Sequence, residues 1–266
     1  MSDPSFRELH QSPEILLLAN AWDAGSARLV ESLGAKAIAT TSAGLAWSRG
    51  YPDGDALPLE QLVAATREIA RVIRVPLSVD IEGGYSDDPA AVAEVVAAVI
   101  DAGAIGINLE DGAGSADLLC AKIEAARQAA VRAGFDLFIN ARTDVYLRGL
   151  ATGDAGVEEV LRRAERYRAA GCDGLFVPVL AEEGAIRAIA TAIAPLPLNI
   201  MLLPSLPSID RLQVLGVRRL SAGAAIAKAA WSTTSRLAEA FLGGSWDEMF
   251  ANPVDYVATN RLFEKH

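Results

Sequence analysis

Acidic side chains stand where short apolar segments of this 266-residue chain end. Asp80 and Glu82 end the segment SVDIE, and Glu110 ends the segment INLE. Residues two apart on a strand point the same way, and Asp53 lies in a neighbouring loop, so four carboxylates can converge. Like charges share a small volume only when they are protonated or neutralised by a cation. Oxygen ligands without His or Cys suit Mg²⁺ or Mn²⁺, so the pattern predicts a divalent-cation site formed by these four residues.

An arginine and a small-residue segment are candidates for binding the anionic part of a substrate. Arg142 follows an apolar run in INARTD, and its planar guanidinium suits a carboxylate or an oxyanion. A structural ion pair with one of the acids is the alternative for this arginine. The small residues after the second apolar run form a turn whose backbone N–H groups could hold a carboxylate. The predicted substrate-binding residues are Trp22, Ser42, Ala43, Gly44, Asp80, Arg142 and Asn199.

A site with a cation, an arginine and anion-binding amides can break a bond beside a carbonyl without a strong base. The cation chelates a 2-oxo acid through its carboxylate and keto oxygens. As the bond breaks, negative charge moves to the keto oxygen, where the cation and Arg142 stabilise the enolate. Loss of CO₂ from a β-keto acid, or cleavage of a C–C bond next to the oxo group, needs little more.

Several residue types are missing from these segment ends, and this argues against other chemistry. The two histidines, His10 and His266, lie near the termini, which argues against a His-based triad. Cys120 and Cys172 are interpreted as buried structural thiols, and two cysteines cannot form a disulfide scaffold. Lysines are absent from the catalytic ends of the predicted strands, which argues against a Schiff-base or pyridoxal enzyme: they are Lys36, Lys122, Lys228 and Lys265.

The elements that must position these residues alternate along the chain. Most of the eight apolar runs are too apolar to alternate with solvent, which suits parallel strands buried on both faces. Eight strand–helix units predict a (β/α)8 TIM barrel, an α/β fold whose active site lies at the C-terminal ends of the strands. The predicted strands are Ile15–Asn20, Ala37–Thr41, Leu77–Ile81, Ile105–Glu110, Leu137–Ala141, Gly174–Val179, Leu198–Leu202 and Arg218–Ser221.

Amphipathic or alanine-rich patterns between these runs predict helices. Asp23, Asp87 and Asp111, which also follow apolar runs, either join the site or cap the helices after them. Glycines just past several helix ends favour termination there. The predicted helices are Ala24–Ser32, Leu59–Arg71, Pro89–Asp101, Ala116–Arg132, Gly156–Ala169, Glu182–Ala194 and Pro207–Leu215, with a further helix around Ala224–Phe241.

Composition excludes several other classes of protein. Apolar residues make up 52% and charged residues 22% of the chain, which excludes a disordered protein. The net charge of −10 argues against non-specific binding to nucleic acid or to an anionic membrane. Residues 188–209 carry no charge, but four prolines would break a single membrane-spanning helix. The N-terminus lacks the apolar core of a signal peptide, so we expect a soluble cytoplasmic protein.

The chain beyond the last predicted strand is rich in aromatic residues. We predict one barrel domain over residues 1–266 with a C-terminal helical extension over about 224–266. The extension either folds back on its own barrel or docks on a partner subunit, and aromatic side chains are enriched at interfaces. The second interpretation is favoured and predicts a homo-oligomer, a dimer or a tetramer. The aromatic residues are Trp231, Trp246, Phe250, Tyr256 and Phe263.

Five segments in order along the chain resemble the isocitrate lyase/phosphoenolpyruvate mutase superfamily. They are NAWDAGSARL, TTSAGLAWSRGYPD, SVDIEGGYSDD, INLEDG and INARTDVY, and the resemblance spans roughly residues 17–221. It implies a (β/α)8 barrel, bound Mg²⁺, and substrates that are 2-oxo acids or their hydroxy-acid adducts. It also implies a C-terminal helix of the kind that is often exchanged between subunits.

The resemblance further implies roles for individual residues. By position, Asp80 resembles the direct metal ligand, and Arg142 resembles the arginine that contacts the substrate oxygen. Ser42, with the amides near Gly44, resembles a carboxylate pocket. The carboxylates that resemble residues acting mainly through metal-bound water are Asp53, Glu82 and Glu110, and the predicted catalytic residues are Arg142, Asp53 and Glu110.

The chain departs from the best-known branches of that superfamily. Isocitrate and 2-methylisocitrate lyases carry a flexible loop with a Lys-Lys/Arg-Cys-Gly-His motif, whereas the corresponding segment here is LEDGAGSADLLCAKI. The longer gating loop of the mutase is not evident either, so the sequence resembles the smaller branch with oxaloacetate decarboxylase-like members. We predict an Mg²⁺-dependent lyase that cleaves a C–C bond beside the oxo group of a small 2-oxo acid or its hydroxy-acid adduct. The alternatives are C–P chemistry, as in phosphoenolpyruvate mutase or phosphonopyruvate hydrolase, and a non-catalytic barrel that binds a keto acid.

Overall fold

Eight parallel strands form the centre of the computed structural model, which describes residues 5–264. Each strand coincides with one of the predicted apolar runs, and Lys265 and His266 lie outside the described residues. The strands are β1 (Leu16–Leu18), β2 (Ile38–Ala39), β3 (Leu77–Asp80), β4 (Gly106–Glu110), β5 (Phe138–Arg142), β6 (Gly174–Val177), β7 (Leu198–Met201) and β8 (Val217–Ser221).

The strands form one sheet that closes into a barrel. Strand β1 pairs with β8, and the remaining strands follow in order down to β2. Just beyond the ends of β1 and β2, Ala21 and Thr40 form a parallel bridge. The Ala21 amide donates to the Ala39 carbonyl at 2.8 Å, and the Thr41 amide donates to the Ala21 carbonyl at 3.0 Å. The predicted (β/α)8 TIM barrel is therefore confirmed.

Helices alternate with the strands, and every predicted helix is present. Three of them, α2, α5 and α6, have the predicted bounds. The helices are α1 (Phe6–Gln11), α2 (Ala24–Ser32), α3 (Ser42–Ser48), α4 (Leu59–Val72), α5 (Pro89–Asp101), α6 (Ala116–Arg132), α7 (Gly153–Ala170), α8 (Glu183–Ile193), α9 (Ile209–Val214), α10 (Ala225–Leu242) and α11 (Tyr256–Arg261), with a 3-10 helix at Asp247–Phe250.

The sequence pattern does not predict the short helices α1 and α3. The prediction of a turn at residues 42–44 is wrong, because these residues form the first turn of α3. A Cβ at Gly44 would lie 2.8 Å from Thr41 Cγ2, 3.0 Å from Trp22 Cβ and 3.1 Å from Ala227 Cβ. Only glycine allows α3 to approach α10 this closely, and a contact of this range is not encoded in a local pattern.

Polar side chains fill the inside of the barrel. Asn140 Nδ2 donates to Asn108 Oδ1 at 2.9 Å and to Asn199 Oδ1 at 3.0 Å. Arg219 on β8 donates from Nη2 to Asn108 on β4 at 3.1 Å. These two strands lie on opposite sides of the barrel, so this contact crosses its interior. Burial lowers the pKa of Arg219 to about 9, while the charge of Asp80 opposes this, so a buried cation lies within reach of the acid that ends β3.

Helix α1 closes the N-terminal end of the barrel. The His10 ring stacks on Phe138 at a centroid distance of 4.1 Å, and Phe6 meets Phe138 edge-on at 5.4 Å. Gly106, the first residue of β4, makes room for this plug, because a Cβ there would lie 2.7 Å from Phe6 Cε1. Burial lowers the pKa of His10 to about 3. This histidine is therefore a neutral packing group, as the argument against a His-based triad requires.

The uncharged stretch 188–209 contains the end of α8, strand β7 and a loop, as its prolines predict. Within the described residues, no helix combines the length and apolar character needed to cross a membrane. Both cysteines are free. Cys120 is half-buried, and burial of Cys172 raises its pKa to about 12, which agrees with a structural role for Cys172.

The C-terminal helices leave apolar surface exposed. Helix α10 has one buried residue, Ala227, and Arg28 Nε donates to the Leu262 carbonyl at 2.8 Å, which ties the chain after α11 to α2. The extension thus contacts its own barrel, yet most of its apolar side chains remain in solvent. The large exposed ones are Ile226, Trp231, Phe241, Leu242, Trp246, Phe250, Val254, Tyr256, Val257 and Phe263.

Candidate active site

Two loops at the C-terminal end of the barrel hold each other through carboxylates. Glu82 Oε2 accepts hydrogen bonds from the amides of Gly54 at 2.8 Å and Asp55 at 2.6 Å. Asp55 Oδ1 in turn accepts from the amides of Gly83 at 3.2 Å and Tyr85 at 3.1 Å. The Tyr85 hydroxyl donates to Glu82 Oε1 at 3.3 Å. These reciprocal bonds fix the loop after β3 against the loop that precedes α4.

Backbone strain accumulates in the same two loops. The φ angles of Asp55, Glu82 and Tyr85 are 57°, 52° and 62°, a left-handed region that residues other than glycine seldom adopt. Each such residue costs of order 1–3 kcal/mol and persists only where its surroundings determine it. The inference that Asp80 and Glu82 point the same way as strand residues is therefore wrong, because β3 ends at Asp80 and the backbone at Glu82 is not extended.

Asp80 is nevertheless at the centre of the charged groups. Its amide donates to Thr40 Oγ1 at 2.8 Å, and its Oδ1 accepts from the Glu82 amide at 3.3 Å. Burial raises the pKa of Asp80, while the charge of Arg142 and the hydroxyl and amide of Ser42 act in the opposite direction. Asp80 therefore lies within reach of both the arginine after β5 and the first residue of α3.

Arg142 ends β5 between two carboxylates. Its Nε and Nη2 donate to Asp144 Oδ1 and Oδ2 at 2.7 and 3.1 Å, and its Nη1 forms an ion pair with Glu110. The surrounding carboxylates hold its pKa above the ordinary value despite burial. A guanidinium has five N–H donors, and Arg142 keeps 16% of its side chain exposed. It is thus both a structural ion-pair partner and a donor with N–H groups left for a substrate oxygen.

Burial makes ionisation of the neighbouring glutamates unfavourable. It raises the pKa of Glu82 to about 7, an effect that the charge of Asp80 reinforces and the amide of Asp55 opposes. Burial also raises the pKa of Glu110, by more than the adjacent Arg142 lowers it. Glu110 Oε2 is buried, and its partner is Nη1 of Arg142 in the ion pair described above. A nearby cation would stabilise the ionised form of each of these acids.

The carboxylate oxygens of the site are the ligands that a hard divalent cation prefers, but they do not form a complete coordination shell. Among residues 5–264, no three Asp, Glu, His or Cys side chains are gathered as metal ligands. Glu82 is held by loop amides and Glu110 by Arg142, whereas Asp80 has weaker contacts. Mg²⁺ usually takes one or two carboxylates and keeps several waters, which is compatible with such an arrangement.

The other predicted site residues lie at different depths. Asp53 is exposed, and its charge acts on Glu82. Trp22 is half-buried and packs against α3 at Gly44. Asn199 is 1% exposed and bonded inside the barrel. The structure therefore brings Asp80, Glu82, Glu110 and Arg142 together, places Asp53 and Trp22 at the edge, and puts Asn199 beneath them.

Asp23, Asp87 and Asp111 had two interpretations, as site residues or as helix caps, and the outcome differs among them. Asp23 caps α2, since its Oδ1 accepts from the Ser26 amide at 2.6 Å. Asp87 does not cap α5, because Asp88 does so. Asp111 is buried and supports Asp144, the partner of Arg142. It accepts hydrogen bonds from the Asp144 amide at 2.8 Å, Arg163 Nη1 at 2.6 Å and the Tyr167 hydroxyl at 2.6 Å.

Sequence reasoning missed four residues near the site: Asp55, Tyr85, Lys122 and Arg219. Lys122 on α6 donates from Nζ to the Gly83 carbonyl at 2.8 Å, so a lysine reaches the loop after β3 from a helix. The sequence contains a signal for Asp55, because in PDGD it lies two residues after Asp53, which was predicted to be a site residue. The pair of arginines in VRRLS is a signal for Arg219, because alternation along a strand places one arginine of the pair inside the barrel.

Comparison with known proteins gives consistent matches. A family model described as phosphoenolpyruvate phosphomutase matches residues 6–242. The uncharacterized protein Rv1998c of Mycobacterium tuberculosis is 36% identical over 261 residues, covering 95% of this chain and 97% of that protein. The oxaloacetate decarboxylase of Pseudomonas entomophila is 30% identical over 229 residues, covering 80% and 75%. The 2-methylisocitrate lyase of Bacillus subtilis is 29% identical over 206 residues, covering 73% and 64%.

Solved structures share the barrel. A protein of Burkholderia cenocepacia J2315, provisionally named a phosphonomutase, is 43% identical with a TM-score of 0.83, covering 88% of this chain and 97% of that one. A phosphonopyruvate hydrolase solved in complex with oxalate and Mg²⁺ has a TM-score of 0.82 at 24% identity, covering 96% and 92%. The second likeness concerns the fold alone. Lyases and mutases therefore recur among the proteins similar to this chain.

Proposed function

This chain belongs to the phosphoenolpyruvate phosphomutase family, and on that premise we propose that it is an Mg²⁺-dependent lyase. It cleaves a C–C bond next to the oxo group of a small 2-oxo acid or its hydroxy-acid adduct. The observation that carries this proposal is Arg142, held between Glu110 and Asp144 and close to Asp80 at the C-terminal end of the barrel. Lyases among the relatives support the reaction class.

The proposed role of Arg142 is to bind the keto oxygen of the substrate. When the C–C bond breaks, its electron pair moves toward that oxygen, and a preorganised guanidinium stabilises the developing negative charge. Glu110 and Asp144 hold the guanidinium in place from two sides. A cation fixed before the reaction is more effective than one that must reorient during it.

The first turn of α3 is the proposed site for the substrate carboxylate. The N-cap residue Thr41 does not cap this helix with its side chain. The hydroxyl and amide of Ser42 already face Asp80, so the amides of Ala43 and Gly44 are the proposed donors to the anion, with Ser42 beside them. Trp22 packs beside Gly44 and forms the proposed wall of the pocket, and Asn199 supports the floor from inside the barrel.

Asp80 is the residue that would hold Mg²⁺ directly, with Glu82, Glu110 and Asp53 acting mainly through water. When bound, Mg²⁺ supplies positive charge that favours the enolate form of the substrate. The raised pKa values of Glu82 and Glu110 support this assignment, because buried acids of this kind gain most from a neighbouring cation. The oxygen-only donor set supports the choice of ion, because Mg²⁺ takes one or two carboxylates and keeps several waters.

C–P chemistry is the second candidate function. It is favoured by the description of the family model and by the 43% identity to the phosphonomutase of Burkholderia cenocepacia. Arg142 would serve either reaction, because both place negative charge on the keto oxygen of a pyruvate unit. The leaving group differs, and the loops around the site must accommodate it.

The decisive experiment assays the purified protein with Mg²⁺ against oxaloacetate, 2-methylisocitrate and phosphonopyruvate. It measures the release of pyruvate and, with phosphonopyruvate, also the formation of phosphoenolpyruvate. We expect release from a C–C substrate, loss of activity after EDTA treatment, and recovery with Mg²⁺ or Mn²⁺. Turnover of phosphonopyruvate alone would assign C–P chemistry instead. Tight binding of a keto acid without turnover of any substrate would indicate a non-catalytic barrel. Activity that survives both Asp80→Asn and Arg142→Ala would reject the proposed site.

We also propose that the chain forms a homo-oligomer in which the C-terminal helices pack on a partner subunit and are exchanged with it. Exposed aromatic side chains in a contiguous region mark an interface, and Trp246 and Phe250 are 52% and 73% exposed. Light scattering of the purified protein should give a dimer or a tetramer. Phe250→Asp should shift the mass toward the monomer, and a wild-type monomer at all concentrations would contradict the proposal.

A further inference from the structure

We propose that a cavity at the N-terminal end of the barrel binds a small organic anion with two or more phosphate or carboxylate groups. The cavity has a volume of about 730 Å³ and opens among the starts of β5 to β8. Pockets for small molecules typically have volumes of about 300–1,000 Å³. The cavity lies at the opposite end of the barrel from Arg142, so the proposal does not depend on the proposed function.

Arginines give this cavity its preference for anions. Arg168, Arg187 and Arg218 line it and form no ion pair with any residue in the described range 5–264. Arg7 lines it too, but its Nη1 is bound to Asp173 at 2.7 Å. The charged residues around the cavity therefore carry an excess of three positive charges, on a chain whose net charge is −10. An anion is the ligand that would neutralise this local excess.

The three unpaired arginines come from different elements, and a structural role explains only one of them. Arg168 lies in the last turn of α7, where a cation complements the helix dipole. Arg187 lies in the middle of α8, and Arg218 lies on β8, so the dipole does not account for either. Guanidinium groups bind carboxylate and phosphate oxygens through two parallel hydrogen bonds, which makes this set suited to a ligand with several oxyanion groups.

The wall of the cavity indicates that the anion is organic. Phe138, Leu196 and Val214 line it beside the arginines, and Val214 is 68% exposed. A bare inorganic ion would leave these apolar side chains in water. A ligand with a carbon skeleton would cover them and gain free energy from the buried apolar area.

The test is isothermal titration calorimetry of the full chain, freed of metal, with a hexose bisphosphate in one arm and citrate in the other. We expect one-site binding of at least one probe, weakened by added salt because charges dominate it. Preference for the hexose bisphosphate identifies a phosphate-bearing ligand, and preference for citrate identifies a polycarboxylate. Absence of binding by both probes at low ionic strength would overturn the proposal.

Variants locate the binding. Arg187→Gln and Arg168→Gln should each raise the Kd about tenfold, equivalent to about 1.4 kcal/mol. Arg71→Gln is the matched control, since Arg71 is exposed in the last turn of α4 and lies outside this cavity; it should leave the Kd unchanged. Arg142→Gln should also leave it unchanged. Binding that is lost in Arg142→Gln but kept in Arg187→Gln would place the anion at the other end and refute the proposal, as would equal losses in Arg187→Gln and Arg71→Gln.

Discussion

The two ends of the barrel differ in the sign of the charge that is left unsatisfied. At the C-terminal end, Asp80, Glu82 and Glu110 are buried near one another, and the pKa of each is raised. At the N-terminal end, arginines such as Arg187 and Arg218 face a cavity without a carboxylate partner in the described range. One end thus suits a cation and an anionic substrate, whereas the other suits an anion alone.

The ends also differ in how the backbone is held. Within residues 5–264, the non-glycine residues with left-handed φ are Asp55, Glu82, Tyr85 and Val179, and all four lie in loops at the C-terminal end. At the N-terminal end, α1 begins with a capping box between Ser5 and Glu8 and packs through aromatic rings. Strain is tolerated where it positions functional groups, and relaxed packing is found where the barrel is closed. This comparison predicts separate effects of mutations on turnover and on stability.

The largest effect should come from Arg142→Gln at the C-terminal end. Loss of one preorganised group that stabilises an oxyanion typically lowers kcat by about 10²–10³, and Arg142 is the proposed group. Steady-state kinetics of pyruvate release measures this, with Arg162→Gln as the control because Arg162 is exposed and, among residues 5–264, forms its ion pair with Glu159 alone. A kcat close to wild type in Arg142→Gln would contradict the assignment of catalysis to Arg142 at the C-terminal end.

The opposite end should respond in stability and not in turnover. Phe6→Ala removes a ring that is 3% exposed, and truncation of a buried Phe typically costs about 3–5 kcal/mol of unfolding free energy. Urea unfolding followed by circular dichroism measures the loss. Leu33→Ala, at a side chain that is 80% exposed and lies outside the C-terminal extension, should cost far less. A large fall in kcat of the folded Phe6→Ala protein would mean that the two ends are not independent.

Changes of pH should act on the C-terminal end in a defined direction. The pKa of Glu82 rises from 4.5 to about 7 on folding, so between these values the folded state binds more protons than the unfolded state. The unfolding free energy of the metal-free protein should therefore fall as pH rises through this window. Mg²⁺ competes with the same proton, so its affinity should rise by up to about tenfold per pH unit below pH 7.

Thermal melts and Mg²⁺ titrations across pH 5–8 check both trends. Glu82→Gln should make them shallower, since the neutral amide does not titrate, while Asp80 and Glu110, whose pKa values are also raised, keep a remaining slope. Trends that persist unchanged in Glu82→Gln would assign them to another group.

The smallest effect should come from Tyr85→Phe, which removes the hydroxyl that donates to Glu82 Oε1 at 3.3 Å. A hydrogen bond of this kind is worth about 1 kcal/mol, so Mg²⁺ affinity should fall about fivefold while kcat at saturating Mg²⁺ stays close to wild type. Isothermal titration calorimetry with Mg²⁺ measures the loss. Tyr256→Phe, at a tyrosine 81% exposed on α11, should leave the Mg²⁺ affinity unchanged. An unchanged affinity in Tyr85→Phe would show that Tyr85 does not contribute to Mg²⁺ binding.

Much of the fold could be predicted because its signals are local. Continuous apolar runs identified all eight strands, and amphipathic patterns with caps identified α2, α5 and α6 with the observed bounds. Helix α3 could not be predicted in this way. Its sequence SAGLAWS contains a glycine that a local pattern assigns to a turn, and only the contact with α10 explains why it is helical.

Part of the candidate site could also be predicted, because residues at strand ends can be identified from local sequence. Acids and an arginine at strand ends are visible in the sequence, and the barrel topology brings Asp80, Glu110 and Arg142 to one place. The partners of each side chain were not visible. Asp55 and Tyr85, which hold Glu82, lie in two loops far apart along the chain, and their left-handed backbone has no sequence signature outside glycine.

The sequence by itself determined the eight strands, the helices α2 and α4 to α10, and the end of each strand at which the polar residues stand, because periodicity and capping act over a few residues. The tertiary structure alone decided which charges meet. It pairs Arg142 with Glu110 and Asp144, and it buries Arg219 inside the barrel. It also places Arg187 and Arg218 at the cavity at the N-terminal end of the barrel. Burial and charge pairing depend on distances between residues that are remote in the chain, and these distances exist only once the barrel has closed.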